Sequence, residues 1–414
     1  MIFFIYQFLL SIILIFSPII IIIRILKNKE DKLRFKEKFC LISKERGNGK
    51  LVWFHGSSVG EILSVIPIIK KYDNDKSIGK ILITSSTLSS SKILEKIKFK
   101  KTIHQFYPID HAIFSRKFLD HWKPNIAIFL ESEIWPSMFK SIKNRNIPLI
   151  LLNARITKRS FDRWSKFKKF SYSIFGLIDK AYSQNSETNH YLKRLNVKNI
   201  QSIGNIKFIE DDNIKSDKFD KKLFFQFKKY KTFIAASTHE TEELFAAKTH
   251  ILLKKKNKNI ITIIIPRHIN RVKQIIAEIK KLGLNVVSRS SKKLKLKGID
   301  IFIVDTFGET KKFYKFATTV FLGKSIIKGG GQNPLEPARF GAKILHGPGV
   351  NNFKEVYKYL KKLKISSVVN SPKKCADSII FKKNMKKVQK MKYLGSTILK
   401  KTLNELDKSI HNEI

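Results

Sequence analysis

Residues 53–61 read WFHGSSVGE, and this stretch decides the fold of the N-terminal half of the chain. The apolar run Leu51–Phe54 predicts a buried strand, His55–Gly60 predicts a small-residue loop, and a helix is predicted to begin at Glu61. In α/β folds such a junction holds anions and catalytic groups, because the helix start offers unpaired N–H groups and a partial positive charge. Glu61 therefore either complements the helix dipole or takes part in chemistry.

Outward from this stretch, short apolar runs alternate with amphipathic stretches. Strands are predicted at 51–54, 81–84, 126–130, 149–152, 181–183, 233–236, 260–265, 285–288, 299–304, 320–322, 344–345 and 367–369. Helices are predicted at 62–72, 90–98, 111–122, 134–144, 187–195, 240–253, 269–282, 309–316, 334–340, 353–363 and within 371–408. Because 414 residues exceed one core, this alternation predicts two successive doubly wound α/β domains that face a cleft.

The first 23 residues contain no charged side chain and are long enough to cross a bilayer as a helix. Arg24 and Lys27 follow at once, so the positive-inside rule places the rest of the chain in the cytoplasm. A secretory signal peptide fits poorly, because a basic n-region and a small-residue cleavage site are both missing. Pro18 leaves a shallower, interfacial insertion open. We therefore predict a single-pass N-terminal membrane anchor.

The boundaries of the two domains, the linker and the C-terminal region are predicted from the composition and the pattern of the sequence. Residues 24–207 are predicted to form the first domain and residues 231–395 the second. The polar, Lys- and Asp-rich residues 208–230 are predicted to be a linker that includes part of the next domain's first helix. Residues 396–414 are predicted to be a C-terminal helix or tail.

The net charge of +49 has several interpretations. Nucleic acid, an anionic membrane surface and a phosphorylated substrate would each attract such a chain, and compositional drift toward Lys is a fourth explanation. Lysines are spread over the whole sequence, which argues against a nucleic-acid-binding tail. The two cysteines, Cys40 and Cys375, lie far apart without metal-ligand spacing, which indicates a reducing compartment and no disulfide framework.

The segment 329–337, GGGQNPLEP, is the most distinctive in the second half. Its three glycines permit close approach of a ligand to the backbone. Asn333 is predicted to cap a helix whose first residue is Pro334, with Glu336 in the first turn. Phosphate binding at the N–H groups and ribose binding by the carboxylate would suit a nucleotide, whereas a plain capping-box role for Glu336 is the alternative.

Other polar segments follow predicted strands, at the edge where open α/β sheets bind ligands. In the second domain they are 237–240, 266–268 and 306–309. In the first domain Glu131 follows one strand and 153–155 the next, so that Glu61, Glu131 and Arg155 are expected to face one cleft. Neighbouring carboxylates have raised pKa values and suit a general base. Glu133 is interpreted as a helix N-terminal charge, and 73–75 (DND) as a polar turn instead of a metal site.

Ten motifs occur in the order seen in bacterial 3-deoxy-D-manno-octulosonic acid (Kdo) transferases, the lipopolysaccharide enzymes that glycosylate lipid A precursors. They are HGSSVGE (55–61), TSST (84–87), ESEIWP (131–136), NARITKRS (153–160), SQNSET (183–188), GNIK (204–207), STHETEE (237–243), PRH (266–268), FGE (307–309) and GGGQNPLEP (329–337). Because the motifs are many and collinear, from about Arg34 to about residue 360, the chain closely resembles this family.

The resemblance implies a two-domain GT-B fold with Rossmann-like domains, an acceptor-binding first domain and a nucleotide-binding second domain. It implies attachment to the cell inner membrane and no metal or other cofactor. Glu61 matches the family's catalytic base, and Glu131 and Lys207 match the residues that stabilise the transition state. The positions that match the CMP-binding residues are Pro266, Arg267, Phe307, Gly308, Glu309, Asn333, Pro334, Leu335 and Glu336. Four positions depart from the family pattern: Gly56 stands where Ala is commoner, Thr241 and Lys324 where Gly is usual, and Thr310 where Leu is usual.

The expected activity is an inverting transfer of Kdo from CMP-Kdo to the 6′-OH of a lipid A precursor, lipid IV-A. The partners implied are this donor, this acceptor and the inner membrane, without nucleic acid. Two alternatives remain open at this point. One is a GT-B transferase that uses another nucleotide sugar, and the other is a membrane-tethered basic protein that binds nucleic acid.

Overall fold

The computed structural model describes residues 2–42, 44–209, 219–291, 294–327 and 330–411. The chain divides into two compact units, the first comprising Met1–Asp211 with Leu394–Ile414 and the second comprising Asp212–Tyr393. Each unit contains a seven-stranded sheet whose strand pairs are all parallel. The predicted α/β class with two parallel-sheet domains is confirmed.

The first sheet has the strand order β3-β2-β1-β4-β5-β6-β7. Its strands are β1 (Leu51–His55), β2 (Lys80–Ser85), β3 (Thr102–Phe106), β4 (Ile126–Leu130), β5 (Leu149–Ala154), β6 (Lys180–Ser183) and β7 (Ile200–Ser202). The sequence did not predict β3 or β7. Because the order reverses at β1, the carboxyl end of β1 lies at the topological switch point, where open α/β sheets bind ligands.

The helices of the first unit up to residue 211 are α1 (Ile2–Leu26), α2 (Val59–Asp73), α3 (Leu88–Leu94), α4 (Ala112–Trp122), α5 (Pro136–Lys143), α6 (Lys158–Ser165), α7 (Lys168–Phe175) and α8 (Ser186–Arg194). Helix α2 begins two residues before the predicted start at Glu61, because Ser58 is its N-cap and forms a capping box with Glu61. Helices α6 and α7 were not predicted. Short 3-10 helices cover Arg34–Phe39 and Ile206–Phe208.

The core of the first unit lies around β1. Trp53 is fully buried, and its ring centroid lies 4.9 Å from Phe118 and 5.0 Å from Phe129. Its indole N–H donates to the Thr84 hydroxyl at 2.9 Å. Since a buried indole needs a hydrogen-bond acceptor, this contact fixes the ring beside the end of β1. The strand is therefore held rigidly where it leads into the Glu61 loop.

The second sheet has the order β10-β11-β9-β8-β12-β13-β14, with its switch point at β8. Its strands are β8 (Lys231–Thr238), β9 (Ile260–Pro266), β10 (Val286–Ser288), β11 (Ile301–Ile303), β12 (Thr319–Leu322), β13 (Lys343–His346) and β14 (Ser366–Val368). Its helices are α9 (Lys221–Phe227), α10 (Glu242–Lys256), α11 (Val272–Lys280), α12 (Thr310–Tyr314), α13 (Leu335–Arg339), α14 (Lys354–Lys362) and α15 (Pro372–Ser378). Short 3-10 helices cover Ile269–Arg271 and Asn351–Phe353. Of the predicted linker 208–230, residues 210–218 lie outside the described residues, and α9 belongs to the second unit.

The last helix, α16 (Met385–His411), returns the chain to the first unit from Leu394 onward. The Tyr72 hydroxyl donates to Asp407 at 2.8 Å, and the Tyr182 hydroxyl donates to the Glu405 carbonyl at 3.3 Å. The predicted C-terminal helical region therefore consists of two helices, α15 and α16. The end of α16 is part of the packing of the first unit instead of a free tail.

Helix α1 is long and apolar enough to cross a membrane, as predicted, and one of its faces packs on the first unit. The Tyr6 hydroxyl donates to Asp110 at 2.7 Å and the Gln7 amide donates to Ser137 at 2.6 Å. Further along the same face, Ile21 is buried. The opposite face exposes large apolar side chains, namely Phe4, Ile5, Phe8, Leu9, Ile12, Ile13, Ile15, Phe16, Ile19, Ile20, Ile22, Ile23 and Leu26.

Candidate functional site

The Glu61 carboxylate is held on both of its oxygen atoms. Oε1 accepts a hydrogen bond from the Ser58 hydroxyl at 2.7 Å, and Oε2 accepts one from the Ser57 backbone N–H at 2.8 Å. These hydrogen bonds, made at the capping box that begins α2, fix the orientation of the side chain beyond the carboxyl end of β1. Its position after a buried strand, in the first turn of the following helix, is the one that the sequence predicted.

The pKa of Glu61 is raised to about 7, chiefly by burial and then by the negative charges of Glu133 and Glu131, against the opposing hydrogen bonds from Ser58 and Ser57. A carboxyl group with this pKa takes up and releases protons near neutral pH. That is the property a general base needs when it works at physiological pH.

Glu133 corrects one prediction. The sequence interpreted it as a charge at a helix N-terminus, but α5 begins only at Pro136 and the carboxylate turns back toward β1. Its Oε2 atom accepts hydrogen bonds from the Ser57 hydroxyl at 2.6 Å, Trp135 Nε1 at 2.9 Å and His55 Nε2 at 3.2 Å. These hydrogen bonds and the His55 charge outweigh burial and lower the pKa of Glu133, which keeps it ionised beside Glu61.

Glu131 and Lys207, which the resemblance paired as site residues, lie in direct contact. The Lys207 ammonium is 2.5 Å from Glu131 Oε1, and Asn153 Nδ2 lies 3.5 Å from the same oxygen. Asn153 Oδ1 also accepts from the Ile206 backbone N–H at 3.1 Å, which fixes the short helix that carries Lys207. Asn153 was noticed in the sequence only as a residue after a strand, and its role depends on contacts distant in the chain.

The backbone is strained at the same place. Glu131 and Asn153 have φ angles of 53° and 54°, in the left-handed region that non-glycine residues rarely adopt. Both stand at the carboxyl ends of adjacent strands, β4 and β5, and the register of β5 shifts at Asn153. Such conformations persist where surrounding contacts fix them, and they cluster at functional sites.

The arginines in and after the NARITKRS segment are Arg155, Arg159 and Arg163. The Arg155 backbone N–H donates to the Glu131 carbonyl at 3.2 Å, so its main chain belongs to the site. Arg159 and Arg163 lie on α6 and are exposed. Arg159 and Arg163 therefore form part of a basic surface face, and both side chains are accessible to an acceptor phosphate.

In the second unit, the predicted ligand segments lie at one edge of the sheet. The segments 237–240, 266–268 and 306–309 lie at the carboxyl ends of β8, β9 and β11, and residues 330–337, the described part of 329–337, follow β12 in the chain. These four strands are neighbours in the sheet. The buried Glu242 carboxylate joins the segment after β8 to the chain after β12, because it accepts from the N–H groups of His239 at 3.0 Å and Lys324 at 2.7 Å. The prediction that these segments share one edge is confirmed.

The side chains expected to bind CMP are mostly accessible. Arg267 is exposed, as is Asn333, and Phe307 is 88% exposed. Glu309 is held by Arg289 at 3.2 Å and Lys312 at 3.2 Å; despite burial, hydrogen bonds from Thr306 and Lys312 lower its pKa. Pro266 ends β9 and is buried, and Gly308 adopts a φ of 83° that favours glycine.

The NPLE segment differs slightly from its prediction. Helix α13 begins at Leu335, with Pro334 at its N-cap position, and Asn333 Oδ1 accepts from the Leu335 N–H at 3.0 Å. Glu336 Oε1 lies 3.6 Å from the Lys311 ammonium, which connects this segment to the one after β11. Gly329 of the glycine run lies outside the described residues.

Two departures from the family pattern have a structural consequence. Thr241 and Lys324 have φ angles of 71° and 57°, so each occupies a left-handed conformation that glycine adopts without strain. A third departure, Gly56, lies in a crowded position. A Cβ atom there would lie 2.9 Å from Leu130 Cδ1 and 3.2 Å from Glu61 Cβ, so alanine would press on the Glu61 side chain.

Among the described residues, no group of three or more His, Cys, Asp or Glu side chains is arranged to hold a metal ion. Asp73 instead accepts hydrogen bonds from the backbone N–H groups of Lys100 at 2.7 Å and Lys101 at 3.1 Å, and from the Thr102 hydroxyl at 2.7 Å. This carboxylate therefore secures the chain that leads into β3.

Solved structures with a similar fold include UDP-GlcNAc 2-epimerase from Neisseria meningitidis, with a TM-score of 0.57 at 13% identity over 87% of this chain and 100% of that one. A glycosyltransferase from Rickettsia africae gives a TM-score of 0.56 at 15% identity, over 88% of this chain and 99% of that one. At such low identity these likenesses show the fold alone, which is the two-domain GT-B type.

Sequence relatives identify the family. The family model for 3-deoxy-D-manno-octulosonic-acid transferase (kdotransferase) matches residues 33–210. The chain is 33% identical to 3-deoxy-D-manno-octulosonic acid transferase from Rickettsia bellii, over 88% of this chain and 87% of that protein. It is 27% identical to the transferase of the same name from Haemophilus influenzae, over 77% of this chain and 76% of that protein. The chain therefore belongs to the Kdo transferases, a family of glycosyltransferase enzymes.

Proposed function

We propose that this Kdo transferase uses CMP-Kdo as donor and the 6′-OH of a lipid A precursor, lipid IV-A, as acceptor. The observation that carries the proposal is the Glu61 carboxylate, held on both oxygens at the switch point of the first sheet, with a pKa raised to about 7. An acceptor hydroxyl has no useful nucleophilicity until a base removes its proton, and a carboxylate of this kind supplies that base.

The reaction is a single displacement with inversion. Glu61 removes the proton of the acceptor hydroxyl, the oxygen attacks the anomeric carbon of Kdo, and the bond from that carbon to the CMP phosphate breaks. The electron pair leaves with CMP. Lys207, held by Glu131, offsets negative charge as the phosphate departs.

The second unit binds the nucleotide. Arg267 offers a guanidinium group suited to a phosphate, and Phe307 offers an accessible ring. Glu309, Asn333 and the rest of the NPLE segment supply acceptors and backbone N–H groups at the same edge of the sheet. The assignment of Pro266, Gly308, Pro334, Leu335 and Glu336 to this site rests on the family pattern.

Helix α1 attaches the enzyme to the inner membrane, with both units in the cytoplasm. In place of the single-pass anchor that the sequence predicted, its contacts favour a helix that lies along the membrane surface. Tyr6 and Ile21 both face the first unit, and the helix between them covers about 22 Å of a hydrocarbon core about 30 Å thick. A crossing helix would carry Asp110 and Ser137 into lipid, whereas a surface helix inserts only its outward apolar face.

The membrane arrangement is tested with a cysteine at position 2. Ile2→Cys, in a chain whose Cys40 and Cys375 are replaced by Ser, is treated in spheroplasts with a maleimide that cannot cross membranes. A surface helix on the cytoplasmic side predicts labelling only after lysis. Labelling in intact spheroplasts would show that the helix crosses the bilayer.

The base assignment is tested by Glu61→Ala with Glu187→Ala as a matched control. Glu187 also lies in the first turn of a helix, α8, so it shares any dipole role, but its Oε1 accepts from the Tyr191 hydroxyl at 3.1 Å. Glu61→Ala should lower transfer from CMP-Kdo to lipid IV-A by at least about 100-fold, with CMP affinity unchanged, whereas Glu187→Ala should retain activity. Substantial residual turnover in Glu61→Ala would overturn the assignment, and replacing CMP-Kdo by UDP-sugars tests the donor.

A further inference from the structure

Ser57 joins two carboxylates in the first unit. Its backbone N–H donates to Glu61 Oε2 at 2.8 Å, and its hydroxyl donates to Glu133 Oε2 at 2.6 Å. The two acids are therefore held by opposite ends of one residue in the loop after β1. A change in the position of Glu133 is transmitted to the Glu61 loop through this residue.

Glu133 is fixed from the opposite side by a buried histidine. His55 is fully buried, its Nε2 lies 3.2 Å from Glu133 Oε2, and its Nδ1 lies 2.9 Å from the Thr84 hydroxyl. The His55 ring stacks on Tyr107 at a centroid distance of 3.9 Å. Both ring nitrogens therefore have partners, and the imidazole orientation is determined by β1, β2 and the loop after β3.

We infer that Glu133, anchored by His55 and bridged by Ser57, is a positioning residue that determines the protonation and orientation of the Glu61 base. The inference rests on the proposed role of Glu61. Glu133 is the third residue of the ESEIWP motif. Neither the family resemblance nor its interpretation as a helix N-terminal charge gave it this function.

The geometry gives Glu133 an electrostatic effect as well as a mechanical one. It is kept ionised by three hydrogen-bond donors to a single oxygen atom, so its negative charge faces Glu61 throughout the neutral pH range. Two carboxyl groups whose surroundings push their pKa values apart form a pair in which one stays charged and the other exchanges protons. In this pair Glu133 keeps its charge and Glu61 exchanges.

The other charged groups around Glu61 do not replace this effect. Glu131 comes from the same loop after β4, but the Lys207 ammonium pairs with it. His55 reaches Glu61 only through Glu133. Among the described side chains, Glu133 therefore contributes more to raising the pKa of Glu61 than Glu131 does.

The test is the pH dependence of transfer in Glu133→Gln. The glutamine amide retains an acceptor for Ser57 and removes the charge, so the pKa of Glu61 falls. Since the base works only when deprotonated, the acid limb of the rate profile should move to lower pH by roughly one unit. Glu133→Asp keeps the charge and should leave the limb near its original pH, even where the overall rate falls.

Two further variants keep the result interpretable. Glu187→Gln removes one charge from α8 of the same unit and should leave the whole profile unchanged. If Glu133→Gln does not fold, His55→Gln/Glu133→Gln replaces the buried pair together, so that neither partner is left alone, and the same shift is expected.

The outcomes separate this inference from the proposed function. Substantial turnover of Glu61→Gln at all pH values would overturn the base assignment itself. Loss of turnover in Glu61→Gln, combined with an unshifted acid limb in Glu133→Gln or in the paired variant, would leave the base in place and overturn the role of Glu133. If Glu133 had only a structural role, Glu133→Gln would lower the rate by the same factor at every pH and would leave the acid limb unshifted.

Discussion

The two units differ in how they present their functional side chains. In the first unit Glu131 is buried and Glu61 and Glu133 are half-buried, and all three are oriented by hydrogen bonds. In the second unit Arg267 and Phe307 extend into solvent. Burial tunes a carboxyl group for proton transfer, whereas binding of a charged nucleotide needs accessible cations and rings. Under the proposed function, the first unit would therefore determine the rate and its pH dependence, and the second would determine the affinity for the donor.

The largest effect in this comparison is expected from Lys207→Met. The variant removes the cation of the first unit and leaves Glu131 buried without its partner. We expect kcat to fall on the order of 100- to 1,000-fold, because charge developing on the leaving phosphate loses its stabilisation. CMP affinity, measured by calorimetry, should stay within about twofold of the original, and a parallel loss of CMP binding would contradict the division of roles.

Arg267→Ala is the converse experiment in the second unit. Loss of a charged hydrogen-bond donor to phosphate should weaken CMP binding by roughly 10- to 100-fold. The acid limb of the rate profile should not move, because Arg267 belongs to the second unit, and Glu61 titrates in the first. An unchanged CMP affinity would remove Arg267 from the donor site, and Lys273→Ala on α11 serves as a charge-matched control.

The smallest effect is a gain of stability in the second unit. Lys324→Gly replaces a residue with a φ of 57° by one that adopts this conformation without strain. It should raise the free energy of unfolding by about 0.5–1 kcal/mol, measured by denaturant titration. Lys358→Gly, on the exposed face of α14, should lower it by about 1 kcal/mol. A loss of stability in Lys324→Gly would show that the lysine side chain offsets its own strain.

Local apolar patterns in the sequence were sufficient to predict the central, buried strands of both sheets. Strand β3 was missed because its residues Thr102–Phe106 include the polar residues His104 and Gln105, which have hydrogen-bond partners elsewhere in the unit. His104 Nε2 lies 2.9 Å from the Ser85 hydroxyl, and Gln105 accepts from Trp122 Nε1 at 2.7 Å. No periodicity reveals such pairing, since it depends on tertiary contacts.

The candidate site was likewise predicted only in part from the sequence. The position of Glu61 followed from a strand, a small-residue loop and a helix, and the resemblance supplied its role. Glu133 was misinterpreted because its partners His55 and Ser57 lie 78 and 76 positions away in the chain. The sheet order brings β1 beside β4, and only that order places the ESEIWP loop against the Glu61 loop.

The acid limb of the transfer rate tests the central claim most directly. kcat/KM is measured from pH 5 to 9 with CMP-Kdo and lipid IV-A below saturation, for the original chain and for Glu61→Gln. Because the pKa of Glu61 in the free protein is raised from 4.5 to about 7, the base is protonated below that pH, and kcat/KM should fall about tenfold per unit on the acid side and level off above it. Glu61→Gln should show only residual turnover without this limb. A rate that stays constant down to pH 5, or an unchanged limb in Glu61→Gln, would contradict the account.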